Sequence, residues 1–247
     1  MVRNVLWTGG WDSTFRVLDL VFNKKESLQP YYILDNRRNS TFMEIKTMEH
    51  IKRIIEKEDP EARKRILDTI TIEMTEIPGN ESITKKYNHL ASQSHLGDQH
   101  DWLARYTDYM NIDGLEISVH VDDNAANFLK DDVELMEGTY KLKKNPSDPG
   151  LKLFARYHFP LLNMTKLDME KAAKKSGFQH IMEQTWFCHN PKKDGTACGL
   201  CNPCNYTREE GLGRRVPTPN AIDKSKFILL TTYRRGIGKF KKVMGGS

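Results

Sequence analysis

Cysteine is absent from the first 187 residues of this 247-residue chain, and the four present, Cys188, Cys198, Cys201 and Cys204, share one short stretch. Disulfide frameworks of secreted proteins are not confined in that way, so that class is excluded. Long apolar runs are missing too: Phe227-Ile228-Leu229-Leu230 is among the longest, far short of the ~20 residues of a membrane-spanning helix. No membrane partner is expected. Met1 through Val5-Leu6-Trp7 runs straight into Gly9-Gly10 and Asp12, which leaves no room for the apolar core of a signal peptide and predicts a cytoplasmic protein. The last stretch, holding Arg234, Arg235, Lys239, Lys241 and Lys242, contains no acidic residue; without those five, basic and acidic residues both number 33, so the net charge of +5 belongs to this tail. A basic tail can touch RNA or can be a solvated end. With 38% hydrophobic residues, 16 Gly and 10 Pro there is no low-complexity bias, which excludes disorder and fibrous classes. The length suits one large domain or one domain with an appendage.

The pattern alternates strands and helices. Val2 to Trp7 reads as a buried strand ending at Thr8-Gly9-Gly10, and Phe15, Val17, Leu18, Val21 and Phe22 follow at helical spacing, with Asp12 or Ser13 available to cap. Tyr31-Tyr32-Ile33-Leu34 is a second strand, and Thr41-x-x-Glu44 a capping box for the helix carrying Phe42, Ile45, Met48, Ile51 and Ile55. A strand at 69–74, a helix at 102–110, a strand at 115–119 and a helix at 125–136 come next. After a turn at 145–150, residues 151–159 read as extended, and Thr165-x-x-Asp168 caps a helix that stops at Gly177. The expected fold is α/β with a parallel, Rossmann-like sheet of about five strands. Periodicity vanishes from Trp186, so the expected organisation is an α/β domain over 1–180 and a small C-terminal subdomain over 181–247.

Thr8-Gly9-Gly10-Trp11-Asp12-Ser13-Thr14 joins the first strand to the first helix. Glycines allow close backbone approach, a helix N-terminus favours an anion, and the hydroxyls of Thr8, Ser13 and Thr14 add donors. The segment lacks the Lys of a Walker loop and the third Gly of a dinucleotide fingerprint. Read alone, it is a plain turn or a phosphate site. Cys188-x9-Cys198-x2-Cys201-x2-Cys204 offers four soft ligands in two overlapping Cys-x-x-Cys steps, the spacing of a structural zinc site, with an iron–sulfur cluster or a redox pair as alternatives. A closed four-thiolate shell has no position for substrate, so such a zinc is structural.

The glycine segment resembles the Ser-Gly-Gly-x-Asp-Ser loop of the PP-loop ATP pyrophosphatases, with Thr8 in place of the first Ser. Together with the cysteines, with Pro160-Leu161-Leu162-Asn163-Met164-Thr165-Lys166, and with Cys198-Gly199-Leu200-Cys201-Asn202-Pro203-Cys204 followed by Arg208, it makes the chain similar to the QueC, or 7-cyano-7-deazaguanine synthase, family. The resemblance implies an adenine-nucleotide α-hydrolase type fold and a homodimer. It also implies a reaction in which a small-molecule carboxylate attacks the α-phosphate of ATP, pyrophosphate leaves, ammonia displaces AMP to give an amide, and a second ATP converts amide to nitrile. The cofactors implied are zinc, ATP and Mg²⁺.

Residue by residue, the resemblance points to Asp12, Ser13 and Lys166 as catalytic. Thr8, Gly9, Gly10, Asp12, Ser13 and Thr14, with Leu34 and Asp35 at the end of the second strand, would hold the nucleotide. Lys166 is otherwise a surface lysine, Arg208 points at substrate or braces the metal turn, and Trp11 covers a base or packs in the core. Three segments depart from the family: Leu34-Asp35-Asn36-Arg37-Arg38-Asn39, Gly97-Asp98-Gln99-His100-Asp101 and Val119-His120-Val121-Asp122-Asp123 stand where its usual loops would be. Gln99, His100, Asp122, Asp123 and Arg208 are therefore candidates for the substrate pocket. Asp98, Asp122 and Asp123 could hold Mg²⁺, read the N–H groups of a heterocycle or be solvated. The altered loops leave room for a relative that passes the adenylated acyl group to an amine on a protein or nucleic acid. A zinc-ribbon RNA-binding module is the non-enzymatic alternative.

Overall fold

The computed structural model describes residues 2–221, 223–225, 227 and 229; the basic residues of the tail from Arg234 to Lys242 lie outside the described residues. Tertiary contacts divide the chain into two compact units, Met1–Trp186 and Phe187–Ser247. In chain order the elements are β1 (Val2–Leu6), α1 (Trp11–Leu18), β2 (Ser27–Leu34), α2 (Thr41–Glu58), α3 (Pro60–Lys64), β3 (Ile70–Glu73), α4 (Glu81–Gln93), α5 (Gln99–Tyr109), β4 (Leu115–Glu116), α6 (Asn124–Leu129), β5 (Val133–Met136), β6 (Thr139–Leu142), β7 (Tyr157–Phe159), α7 (Lys166–Lys175), α8 (Gln179–Met182) and α9 (Asn202–Thr207). Among the described residues no helix is long and apolar enough to cross a membrane.

The first unit is α/β. Its seven-stranded sheet runs β3-β2-β1-β4-β7-β6-β5; the pairs through β3, β2, β1, β4 and β7 are parallel, and β6 and β5 add an antiparallel edge. From β1 the chain moves outward through β2 to β3 and then returns to the other side of β1 as β4. That reversal opens a crevice at the carboxyl ends of β1, β2 and β4, where sheets of this kind bind ligands. α1 packs with α7 and α8, while α4 packs on α5 and on the 3₁₀ turn Pro149–Phe154. Fully buried Trp7, Tyr106, Phe154, Tyr157 and Phe159 fill the core, each such side chain contributing roughly 1.5–3 kcal/mol by leaving water.

Several local expectations are corrected. The helix expected over 125–136 ends at Leu129, and β5 and β6 form a hairpin instead. Its two-residue turn, Glu137-Gly138, has φ of 52° and 76°, the left-handed pair whose twist matches a hairpin. Residues 149–154 are a 3₁₀ turn rather than extended, because Asp148 accepts the Gly150 N–H at its start and Leu151, Leu153 and Phe154 turn into the core. Helix α4 was not expected: its face is mostly polar, and among its residues only Leu90 is buried. The Thr41-x-x-Glu44 box does not form; Ser40 is the N-cap, and the Glu44 carboxylate instead accepts Ser40 Oγ (2.7 Å), Tyr32 Oη (2.9 Å) and Arg38 Nη2 (3.0 Å). The box at α7 does form: Asp168 N donates to Thr165 Oγ1 (3.1 Å) and Thr165 N to Asp168 Oδ2 (2.9 Å).

Candidate functional site

The loop after β1 is held in shape by its own side chains. Gly9 has φ +70°, and a Cβ there would stand 3.0 Å from the carbonyl of Glu44, so glycine is required. Gly10 is the N-cap of α1, and no side chain caps that helix, contrary to the expectation for Asp12 or Ser13. Ser13 Oγ instead accepts the Thr8 N–H at 3.3 Å and lies 3.2 Å from Thr8 Oγ1, closing the loop on itself. Thr14 is placed otherwise than expected: its hydroxyl accepts the indole N–H of Trp7 at 3.0 Å, its N–H goes to Gly10 O, and the residue is fully buried. Trp11 is buried in the same helix, 4% exposed.

Above the carboxyl ends of the strands lies a cleft that Thr8, Gly10, Asp12, Ser13, Gln99, His100 and Asp123 help to line. From β2 it takes Tyr32 and Ile33, and from the following segment Arg38. Leu34 and Asp35 do not line it; the Asp35 carboxylate is engaged by Arg37 through N and Nε, both at 3.0 Å, which lowers its pKa. The sequence reading therefore stopped short of Arg38 and Glu44, whose pairing needs the loop to fold back on α2.

Four charged or polar groups converge beside the loop. Lys166 Nζ stands 3.6 Å from Asp12 Oδ2, with the lysine side chain only 15% exposed. The capped first turn of α7 aims it there, so it is not a solvated surface lysine. His120, in the loop after β4, is 2% exposed, and its Nε2 lies 4.0 Å from Asp12 Oδ2 and 3.7 Å from Asp123 Oδ1. The Asp122 N–H donates to His120 Nδ1 at 3.3 Å, and Nε2 is the ring nitrogen that faces the carboxylates of Asp12 and Asp123. Asp123 Oδ2 accepts the His120 N–H at 3.0 Å; burial pushes this carboxyl upward in pKa, and nearby His120 pulls the other way. Asp122 stays more than half exposed, its Oδ2 3.9 Å from His120 Nδ1. Asp12 Oδ1 is closed off from water without a hydrogen-bond partner among the described residues. A buried, unsatisfied carboxylate oxygen near a second carboxylate fits a hard divalent cation such as Mg²⁺. His120 escaped the sequence reading as a site residue, since a histidine gains a role here only through contacts with Asp12, more than a hundred positions away.

The second unit holds the cysteines. All four thiols are buried and free of disulfides, and their sulfurs lie within 4.8 Å of one another. The separations Cys188–Cys198 (3.5 Å), Cys188–Cys201 (3.8 Å), Cys198–Cys204 (3.9 Å) and Cys201–Cys204 (3.4 Å) approach the edges, about 3.8 Å, of a tetrahedron with Zn–S of ~2.3 Å. The N–H groups of Cys198, Leu200 and Cys201 point at Cys188 or Cys198 sulfurs at 3.2–3.4 Å, supporting thiolate charge. This set could hold one zinc ion. Gly199 has φ +73°, and a Cβ there would meet Pro217 O at 2.5 Å, so the knuckle admits only glycine. Arg208 donates to Gly199 O (2.7 Å), Pro217 O (3.3 Å) and Asn205 Oδ1 (3.1 Å), contacts that brace the metal turn.

Residues 123–215 match the model of the family described as queuosine biosynthesis protein QueC. Over that segment the chain is similar to QueC proteins. The matched region contains Asp123, Lys166, the four cysteines and Arg208, whereas the glycine loop, His100 and His120 lie before it. Curated relatives include a 7-cyano-7-deazaguanine synthase of Rhizorhabdus wittichii, 43% identical over 47 residues, 19% of this chain and 20% of the relative. The 7-cyano-7-deazaguanine synthase 1 of Sphingopyxis alaskensis is 32% identical over 68 residues (28% and 29%), and a synthase of the same name in Cupriavidus pinatubonensis 34% over 62 residues (25% and 26%). The chain thus spans between a fifth and three tenths of the length of these relatives. The similarity is to enzymes, over short segments.

Proposed function

We propose that the protein is an AMP-forming ATP-dependent ligase that adenylates 7-carboxy-7-deazaguanine or a related carboxylate and converts it with ammonia to an amide, a nitrile or both. The observation that carries this reading is the meeting of Lys166 and His120 with Asp12 and Asp123, two carboxylates that line the cleft beside an uncapped helix N-terminus. A carboxylate oxygen attacks the α-phosphorus of ATP, a new O–P bond forms, and the bond to pyrophosphate breaks. Lys166 and the loop N–H groups face the charge that builds on the phosphates, which is where fixed donors lower a barrier most. Asp12 and Asp123 would hold Mg²⁺, which supplies further neutralisation of phosphate charge when bound. Ammonia then attacks the acyl carbon, AMP departs and a proton is released. His120 Nε2, on a ring held by the Asp122 N–H at its other nitrogen, orients the two carboxylates. For the nitrile, the amide oxygen attacks the α-phosphorus of a second ATP and displaces pyrophosphate; the C–O bond then breaks, the oxygen departs with AMP, and the nitrogen gives up its two protons.

Zinc in the four-thiolate set, a homodimeric state and a cytoplasmic location belong to the same proposal. The test is mass spectrometry of ATP, Mg²⁺, ammonium and 7-carboxy-7-deazaguanine incubated with the purified protein. AMP, pyrophosphate and a base shifted to amide or nitrile are expected. AMP with an unmodified base would move the reaction to another carboxylate, and no AMP under any of these conditions would overturn the ligase reading.

A further inference from the structure

The cleft straddles β1, and its two flanks differ in chemistry. The β2 flank is charged and internally bonded, with Tyr32 and Arg38 both directed at Glu44. The opposite flank, from α5 and the segment that follows β4, is walled by Trp102, Leu103, Ile117 and Val119. Three polar residues line that flank, Gln99, His100 and Ser118. The last two each have an atom, His100 Nδ1 and Ser118 Oγ, that is shut off from water and has no hydrogen-bond partner among the described residues. Native interiors rarely leave such atoms unsatisfied, and a site that binds a polar ligand is one reason for doing so. His100 is 5% exposed and packs edge-on against Phe154 with ring centroids 5.4 Å apart, so it cannot swing out to find another partner. Burial pushes its pKa down to about 4, which keeps the ring uncharged at neutral pH.

An uncharged imidazole has one donor and one acceptor nitrogen, and a serine hydroxyl can serve as either. An apolar wall with such a pair suits a flat ring with mixed donors and acceptors at its edge, and disfavours a charged group. We propose that His100 and Ser118 are the ring-reading pair of an acceptor subsite, taking the heteroatom edge of an uncharged nitrogen heterocycle whose carboxylate reaches toward Lys166 and the N-terminus of α1. The assignment of that carboxylate rests on the proposed ligase reading. The pairing of ring and wall does not.

The experiment is calorimetric titration of the full chain with 7-carboxy-7-deazaguanine, with naphthalene-1-carboxylate as a flat control lacking ring heteroatoms, and with ATP. Wild type, Ser118→Ala and His100→Phe are compared; Ser118→Ala removes one buried hydroxyl without changing the packing, so it stays informative if His100→Phe fails to fold. Wild type is expected to favour the heterocycle by at least about tenfold, and each variant to lose about tenfold for it while naphthoate and ATP stay within about twofold. Discrimination retained in Ser118→Ala, a wild type indifferent to the heteroatoms, or a loss that falls on ATP instead would overturn the proposal, the last by assigning the pair to adenine. A wild type that binds the heterocycle through these residues but makes no AMP would remove the ligase reading and leave the subsite standing.

Discussion

Glu116→Ala should cost the first unit about 3 kcal/mol, because it strands a guanidinium inside the protein. Arg16 and Glu116 form a two-pronged pair, Nε to Oε2 at 2.6 Å and Nη2 to Oε1 at 2.8 Å, with side chains only 4% and 1% exposed. Removing one member of such a pair costs ~3–5 kcal/mol, since the other charge stays buried without a counter-charge. The lower end applies here, as Arg16 keeps Asp19 at 3.2 Å on a partly exposed edge. For a unit of this size ~3 kcal/mol corresponds to roughly 6–12 °C in Tm. Urea and thermal unfolding followed by tryptophan fluorescence would read both. The apolar double replacement Arg16→Met with Glu116→Leu should recover most of the loss, because neither charge is then desolvated. A single-variant loss under about 1 kcal/mol, or a double variant no better than Glu116→Ala, would refute the reasoning. The pair also ties α1, which carries Asp12, to β4, whose following loop carries His120, so AMP formation should fall along with stability.

Lys166→Ala should lower kcat for AMP formation by roughly 10²–10³, the usual loss for one charge-stabilising donor, with unfolding unchanged; a rate within about threefold of wild type would remove the lysine from the chemistry. Asp12→Ala should abolish AMP formation and leave the circular dichroism spectrum intact, and an active variant would sink the loop assignment. Cys201→Ser should lose bound metal, measured by plasma emission, and solubility before ATP chemistry; a stable variant with a full complement of metal would reject the four-thiolate site. His100 gives a pH prediction. Burial holds its folded pKa at about 4, below the ordinary histidine value of 6.5, so the unfolded chain binds the proton first and stability falls as pH drops through that window. Between pH 7 and pH 4.5 the His100 share of that loss is ~2–3 kcal/mol, and urea titrations of His100→Phe should show it gone.

What could be read from the sequence is what neighbours in the chain decide. The four cysteines sit within 17 residues, and Thr165 and Asp168 meet across one helical turn; each signal is complete within its own segment. The alternation of apolar runs likewise sufficed for a parallel sheet, because a buried strand and an amphipathic helix each keep their own pattern whatever they pack against. Where a segment has two local solutions, that reading failed. Residues 125–136 carry apolar side chains that serve either a helix or a hairpin edge, and the choice fell to the left-handed turn at Glu137-Gly138 and to pairing of β6 with β7. The cleft needed the tertiary structure for the same reason. His120 between Asp12 and Asp123, Glu44 gathering Tyr32, Ser40 and Arg38, and Arg16 on Glu116 exactly 100 positions away acquire partners only when the sheet order brings β1, β2 and β4 together. Sequence determined which residues could carry chemistry; the folded arrangement decided which of them face each other, since electrostatic and hydrogen-bonding partners are chosen by distance in space and burial, not by spacing along the chain.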